Sequence, residues 1–595
     1  MTDSNSSLSN PSILSAIQKL RVLLTRNDKL RLVGMTAFAS IISVLEVITA
    51  SVIVVFAQVL NQPETGLQYL RKLGFTSDLS PGRIVFYIAM IVGIVYLIKN
   101  LFAVAEVFFQ NFSIQKMHYH FKNKLLYRYA EMDYGFYLTR NSAFGIQVVS
   151  SDTDILFSSG MVAMANVLSE SVTFFTLIGM IIYLNPSLAV IIFALGGVIS
   201  IGITKVILPA FYRFGQNLHD VEVHIWQNLG QFFHAFKEMV LLGKKEHFIH
   251  AYQVHERKKA RFQALQTSFN ALPRMVVEVF FMGLFVMTIA ILCLNHESPQ
   301  QIIGLLGGYL YAGFRLMPGL NRIINQLSTF KSTIPFIERV YNEYTMASTK
   351  ANYVNVPDFQ FNHGIEIKNI SFQYLNTAKE ALSDISLMIP KGECIGIVGE
   401  TGSGKSTLVD IILGLLKPHK GYIVVDGKYP VNSYQWHHKI GYVPQSIYLI
   451  DDTIEKNITF DDKDIDPDRL RAVIDAAQLR QFIEALPDGT KTIVGERGIR
   501  LSGGERQRIA IARALYHNPE VLIFDEATSA LDNETEARLM ATIDIISQER
   551  TVIMIAHRLT TLKNCDRIVV MDKGKIIDIV DYHSLQNTVA RHASS

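Results

Sequence analysis

The chain has 595 residues, too many for one ordinary domain, with 49% hydrophobic and 18% charged residues. Its mean hydropathy of +0.22 lies between that of a soluble protein and that of a pure membrane bundle, which predicts a mixture of the two. A formal net charge of +3 without a sustained basic stripe excludes nucleic acid as the expected partner, and Cys293, Cys394 and Cys565 are too widely spaced for a metal motif or a disulfide framework.

In chain order, residues 1–10 are polar and Ser-rich, with no basic segment and no cleavage site, so no signal peptide is expected. Ile13, Leu14, Ile17, Leu20 and Leu24 recur at helical spacing and predict an amphipathic elbow helix on the inner membrane interface within 1–31. Residues 32–331 hold six apolar stretches, roughly 32–60, 83–110, 161–184, 187–211, 270–294 and 301–330. A bilayer needs about 20 apolar residues per span, so the longer stretches predict helices that continue into the cytoplasm. Lys19, Arg21, Arg26, Lys29 and Arg31 before the first span favour an inside N-terminus. Six spans then return the chain to the cytoplasm. Leu67–Phe75, between spans one and two, reads as a short external surface helix or as an ordinary connecting loop.

Ionisable residues inside spans are costly and often functional. Lys99 lies in span two, Arg274 in the inner part of span five with Glu278 one turn on, and Arg315 and Arg322 in span six. Glu46 and Glu106 are also in or near spans. An Arg/Lys-lined cavity suits an anionic head group such as a pyrophosphate, because guanidinium binds phosphate oxygens in pairs. The alternative is that the long helices carry these cations into cytoplasmic water, or that they pair with carboxylates such as Glu278.

After a linker at 332–364, residues 365–595 read as a soluble α/β domain. The apolar Cys394–Val398 predicts a buried strand. It leads into Gly399, Glu400, Thr401, Gly402, Ser403, Gly404, Lys405, Ser406 and Thr407, which fit the P-loop pattern ahead of a helix. Backbone N–H groups of such a loop close around phosphate oxygens, helped by the helix N-terminus. Lys405 is expected to reach the β- and γ-phosphates of ATP, and Ser406 to ligate Mg²⁺. A second apolar run, Val521–Phe524, delivers Asp525 and Glu526 at its end. Asp525 is expected to hold Mg²⁺, and Glu526 to act as general base on the attacking water.

At Leu501-Ser502-Gly503-Gly504-Glu505-Arg506-Gln507-Arg508 the sequence resembles the signature of the ABC transporters. The resemblance implies that Ser502, Gly503 and Gly504 bind the γ-phosphate of ATP held by another subunit. It implies that Tyr374 stacks on adenine. Gln445 matches the residue that touches Mg²⁺ or the water and contacts the membrane domain. Ser529–Asp532 matches the D-loop, and His557 the switch histidine on the γ-phosphate. Thr492–Gly498, with Glu496, is similar to a segment of exporters that touches the membrane domain. The family often has Gly-Thr-His where this chain has Val580-Asp581-Tyr582, far from the nucleotide.

One P-loop and one signature imply that a single chain cannot complete its own site, so a homodimer is expected; a heterodimer with a degenerate partner is the alternative. The order of a six-span all-α membrane domain followed by an α/β ATPase domain resembles ABC exporters. Transmission is expected through turns near Tyr134–Phe144 and Phe232–Leu242. The segments Tyr311–Ile323 and Asn270–Arg274 are similar to spans six and five of PglK-type flippases for lipid-linked oligosaccharides. That likeness implies a polyprenyl-pyrophosphate glycan as substrate and the cell inner membrane as location. Export of peptides, drugs or ordinary lipids is the nearest rival, and an ATP-gated channel a more distant one.

Overall fold

The computed structural model describes residues 12–61, 66, 68–70, 80–140, 142–184, 202, 205, 207–294, 299–346, 353–375, 377, 379–460, 464–526, 533–547, 550–556 and 558–586. The chain divides into two units: Met1–Glu131 with Arg140–Thr349, and Met132–Thr139 with Lys350–Ser595.

The first unit is helical because its apolar runs are long and almost free of strand punctuation. The elbow helix Ile13–Leu23 starts at Ser12, whose side chain accepts a hydrogen bond from the Ser15 N–H. It buries Ala16, Leu20 and Leu23, and Lys19 pairs with Glu338 at 2.6 Å. Leu14 and Val22 stay exposed on its other side. The main helices are Arg26–Asn61, Pro81–Ala130, Val162–Leu184, Leu208–His234, Lys245–Leu294 and Pro299–Met346. Two of them have 50 residues. At about 1.5 Å per residue such a helix is about 75 Å long, far beyond the roughly 30 Å hydrocarbon layer. Among the described residues, Arg26–Ile53, Pro81–Ala130 and Phe144–Gly179 are long and apolar enough to cross a membrane. Expected spans five and six lie within the continuous helices Lys245–Leu294 and Pro299–Met346. Most of expected span four, and most of Leu67–Phe75, lie outside the described residues. Gln68–Leu70 are helical, with Leu70 buried beside Val59, Ile84 and Ile88.

Two features differ from the expectation. The linker expected at 332–364 begins inside a helix, since Pro299–Met346 continues through Pro318 and Pro335. The apolar positions Phe330, Ile334, Ile337 and Val340 keep a buried face well past the span, which outweighs the proline cost. Span three also begins with two π-helical turns, Val148–Asp152 and Ile155–Met161, a local geometry with no sequence signature of its own.

The helices approach closely where side chains are missing. A Cβ at Gly215 of helix Leu208–His234 would lie 2.0 Å from the Ser332 carbonyl oxygen of helix Pro299–Met346. Nearby, Asp152 pairs with Arg339 at 3.3 Å, with the Asp152 side chain fully buried. One removed partner would leave the other charge stranded.

The second unit is built on two sheets. One, in the order β2-β1-β4-β5, comprises Leu382–Pro390, Gly364–Phe372, Lys420–Val425 and Tyr429–Pro430. The other, in the order β10-β9-β3-β8-β7-β6, comprises Lys575–Val580, Arg567–Asp572, Cys394–Gly399, Thr551–Ile555, Val521–Asp525 and Ile440–Val443. From β9 to β6 its strands run parallel. β7 and β8 are buried along their whole length and β3 all but its last residue, as continuous apolar runs in a covered parallel sheet should be. The short helix Tyr134–Leu138 is part of this unit. Its Tyr134 packs on the core that holds Tyr374 and Tyr442. The turn helix Phe236–Leu241 belongs to the first unit and exposes Phe236 and Leu241.

Gly215→Ala should lower the melting temperature of the detergent-solubilised protein, since overpacking costs about 1–3 kcal/mol. Gly230→Ala, on the same helix with nothing within 4 Å of the new Cβ, should leave it unchanged or raise it slightly. Equal losses from both would remove the packing argument.

Candidate active site

The strand register collects the predicted residues at one edge. In the parallel sheet Gly399 pairs with Met571, Ile397 with Ile555, Asp525 with Ile555, and Val443 with Phe524. The P-loop, the acidic pair and the segment leading to Gln445 therefore all leave the carboxyl ends of parallel strands of one sheet, β3, β7 and β6, with β8 between the first two, where open α/β sheets bind ligands.

The loop itself is shaped by backbone that only glycine accepts. Gly404 has φ +102°, and a Cβ there would lie 2.8 Å from the Ala381 carbonyl oxygen. It is the N-cap of helix Lys405–Ile412, so the first free N–H groups of that helix face the loop. Lys405 is buried. Its Nζ donates to the carbonyl oxygens of Gly399 at 2.8 Å and Glu400 at 3.0 Å. These bonds fold the ammonium over the loop, ready to be exchanged for phosphate oxygens. Ser403 is buried and lies under the loop, with its carbonyl accepting from the Gly574 N–H at 3.0 Å. Ser406 is exposed and Thr407 buried. The Thr407 hydroxyl lies 3.0 Å from that of Tyr374, and Tyr374 packs edge-on against Phe372. Gly402, with φ +84° and no neighbour within 4 Å of a Cβ, leaves the loop crest bare.

Asp525 ends β7 and is buried. Glu526 follows with φ +54°, a left-handed backbone for a non-glycine residue, of the kind that concentrates at functional sites. The Glu526 N–H donates to Ile555 at 3.0 Å, and its Oε2 accepts from Gln445 Nε2 at 2.8 Å. Gln445 and the expected general base are thus in direct contact. The oxygen donors Ser406 and Asp525, the amide oxygen of Gln445 and the loop N–H groups fit a nucleotide phosphate with a hard divalent ion such as Mg²⁺.

Ser502 caps helix Gly503–Tyr516 in a capping box. Its Oγ accepts from the Glu505 N–H at 3.3 Å, and its own N–H donates to Glu505 Oε2 at 2.7 Å. The box itself uses neither the Ser502 hydroxyl proton nor the N–H groups of Gly503 and Gly504, which as the first N–H groups of the helix have no partner within it. His557 and the D-loop Ser529–Asp532 lie outside the described residues. Glu496, itself exposed, opens the 3₁₀ turn Glu496–Gly498.

Sequence reasoning passed over Asp410, on the helix that begins at Lys405. Burial, and then the charge of Asp525, push it up to about 6. The same causes, burial first, raise Tyr442. A carboxylate inside the apolar run Leu408–Leu413 was the available signal. Arg513 was also unremarked: it donates to the carbonyls of Asn457 at 2.7 Å and Tyr448 at 3.0 Å, and burial lowers it to about 10.

In the membrane half the expected cations have carboxylate partners. Lys99 pairs with Glu46 at 2.9 Å, both largely buried. Arg274 pairs with Glu278 at 2.8 Å one turn along its own helix. Arg322 Nε lies 2.6 Å from Glu170 Oε1. The Arg315 side chain lies outside the described residues. Among the described side chains, Lys99, Arg274 and Arg322 each sit on a different carboxylate and do not form one group of free cations.

The family profile described as ABC transporter matches residues 382–529. An ATP-dependent lipid A-core flippase of Haemophilus influenzae (strain 86-028NP) is 29% identical over 72% of this chain and 73% of its own length. One from Saccharophagus degradans is 38% identical over 50% of each chain. The leukotoxin translocation ATP-binding protein LktB of Mannheimia glucosida is 45% identical, but over 39% of this chain and 33% of its own. The chain thus spans half of the second relative and a third of the last. A bacterial Atm1-family ABC exporter with ATP bound superposes with a TM-score of 0.76 over 95% of this chain and 96% of that one, at 22% identity, a likeness of fold.

Glu526→Gln should lower kcat for ATP hydrolysis about 10²–10⁴-fold, the usual worth of a general base, while nucleotide binding persists. Tyr374→Ala should raise KM for ATP, since base stacking is worth about 1–3 kcal/mol. Steady-state ATPase assays check both; a kcat loss without a KM change in Tyr374→Ala would contradict the stacking role.

Proposed function

This chain is an exporter-type ABC half-transporter, an ATP hydrolase coupled to membrane transport, and from that premise we propose that two copies flip an anionic lipid-linked glycan. The substrate on this reading is a polyprenyl-pyrophosphate oligosaccharide, moved from the inner to the outer leaflet of the cell inner membrane with the ATPase in the cytoplasm. In the homodimer each nucleotide lies between Lys405, Ser406, Gln445, Asp525, Glu526 and His557 of one copy and Ser502–Gly504 of the other. Lys405 gives up its loop carbonyls for phosphate oxygens. Ser406, Gln445 and Asp525 would hold Mg²⁺, which would supply neutralisation of the phosphate charge. Glu526, aligned by Gln445, takes the proton from the attacking water, and His557 steadies the γ-phosphate. ATP favours the closed ATPase pair over the open one, and that difference in affinity biases the membrane halves outward.

The observation that carries the substrate reading is Arg322, whose side chain remains 60% exposed on a membrane helix. A charge there is costly against hydrocarbon and sits instead in a cavity or in water. The flippase relatives support a lipid cargo. The toxin-translocating relative matches 234 residues, 39% of the chain, so an ATPase of this kind does not by itself select a cargo.

The test is reconstitution of the full chain in liposomes with a fluorescent polyprenyl-pyrophosphate-linked sugar. ATP-dependent flipping by the wild type is expected, with Arg322→Ala slower by about tenfold or more, as loss of a charge-assisted contact implies. No flipping by the wild type, or undiminished flipping by Arg322→Ala, would contradict the assignment.

A further inference from the structure

Glu170 and Arg322 meet across two membrane helices, Val162–Leu184 and Pro299–Met346. The contact is two-pronged: Arg322 Nε to Glu170 Oε1 at 2.6 Å, and Nη2 to Oε2 at 3.2 Å. A carboxylate and a phosphate present the same pair of oxygens to this fork. The three ion pairs formed by expected substrate cations differ in kind. Lys99–Glu46 is a point-charge pair with both side chains nearly buried, at 13% and 8% exposure. Arg274–Glu278 lies within one helix, on an open surface. Only in Arg322–Glu170, among these three, does a fork bind a carboxylate of another helix while its cation stays open to exchange.

The surroundings allow the carboxylate to leave. Gly319 lies one turn before Arg322, and a Cβ there would stand 3.9 Å from Glu170 Oε2. The carboxylate therefore lies against bare backbone. Pro318, inside the same helix, removes a backbone hydrogen bond at that level. On the face beside Glu170, Ser169 donates to Glu106 at 2.7 Å, and Asn166 accepts from Gln110 Nε2 at 2.7 Å. These partners tie the neighbours of Glu170 to helix Pro81–Ala130 and leave Glu170 to Arg322.

We propose that Glu170 is the resident counter-ion of Arg322 and a specificity-determining residue: the phosphate of the transported lipid replaces its carboxylate on the guanidinium fork. This rests on the anionic-lipid reading above. The exchange conserves both hydrogen bonds of the fork, so its net cost is small. A neutral head group has no oxyanion to offer, and the pair stays closed. Glu170 thereby competes with any anion for the fork, so only a head group that brings its own oxyanion opens the pair, and a neutral lipid gains nothing from it.

The experiment measures ATPase stimulation of the full-length protein in lipid nanodiscs. The probes are undecaprenyl pyrophosphate and, as the neutral control, undecaprenol. Glu170→Gln removes the competing charge and should lower the half-stimulating concentration of the pyrophosphate about two- to fivefold. Arg322→Ala should raise it about tenfold or more. The double variant should behave as Arg322→Ala, because Glu170 acts through Arg322. A merely structural Glu170 would instead lower the melting temperature without moving the half-stimulating concentration, and that result overturns the proposal. Stimulation of the wild type with no leftward shift in Glu170→Gln also overturns it and leaves the lipid reading standing. Failure of the pyrophosphate to stimulate either protein overturns both.

Discussion

Everything the ATPase half does depends on a parallel sheet ending in register. β3, β8 and β7 are buried apolar runs whose partners are fixed residue by residue. That register brings the end of the P-loop strand, Gly399, and the end of the acidic strand, Asp525, to the same rim. Slippage by one residue would turn every side chain to the opposite face and separate the carboxylates from the phosphate loop. The register also explains the strained backbone at Glu526. The strand must stop at Asp525, and a left-handed turn, with its N–H on Ile555, points the next carboxylate toward Gln445.

The same rim bears on the proposal that two copies share each site. The loop and the acidic pair lie at strand ends, whereas Ser502 opens a separate helix and spends its cap on Glu505. A capping box satisfies the helix internally, yet leaves the glycine N–H groups bare. A helix start so arranged is stable alone and still has donors to offer to an anion presented from outside. On the proposal that two copies oppose each other, the loop of one and this helix start of the other would share one phosphate.

Much of the ATPase was legible in the sequence because its chemistry is local. The P-loop, the acidic pair and the signature each occupy fewer than ten consecutive residues, and each needs specific residue types for backbone reasons. Contacts between distant segments were not legible. The hydrogen bond from Gln445 to Glu526 joins residues 81 apart, and the role of Asp410 as a buried neighbour of Asp525 depends on helix packing. In the membrane half, helix existence follows from apolar length alone. The partner of each charge does not, because Glu170 and Arg322 are 152 residues apart. Arg274–Glu278 was readable because i,i+4 neighbours share a helix face. The helix running to Met346 and the π-helical turns at 148–161 follow from tertiary burial, which overrides proline and intrinsic propensity.

The central claim is that each ATP site is shared by two copies of this chain. Two variants with different tags, Lys405→Ala and Gly503→Asp, should each be inactive as homodimers. Co-expressed, they form a mixed dimer in which one site combines both lesions and the other has an intact P-loop facing an intact signature. The ATPase activity of doubly tagged dimers is the direct measurement. Hydrolysis restored well above either homodimer is the predicted result; mixed dimers as inactive as their parents would contradict the shared site.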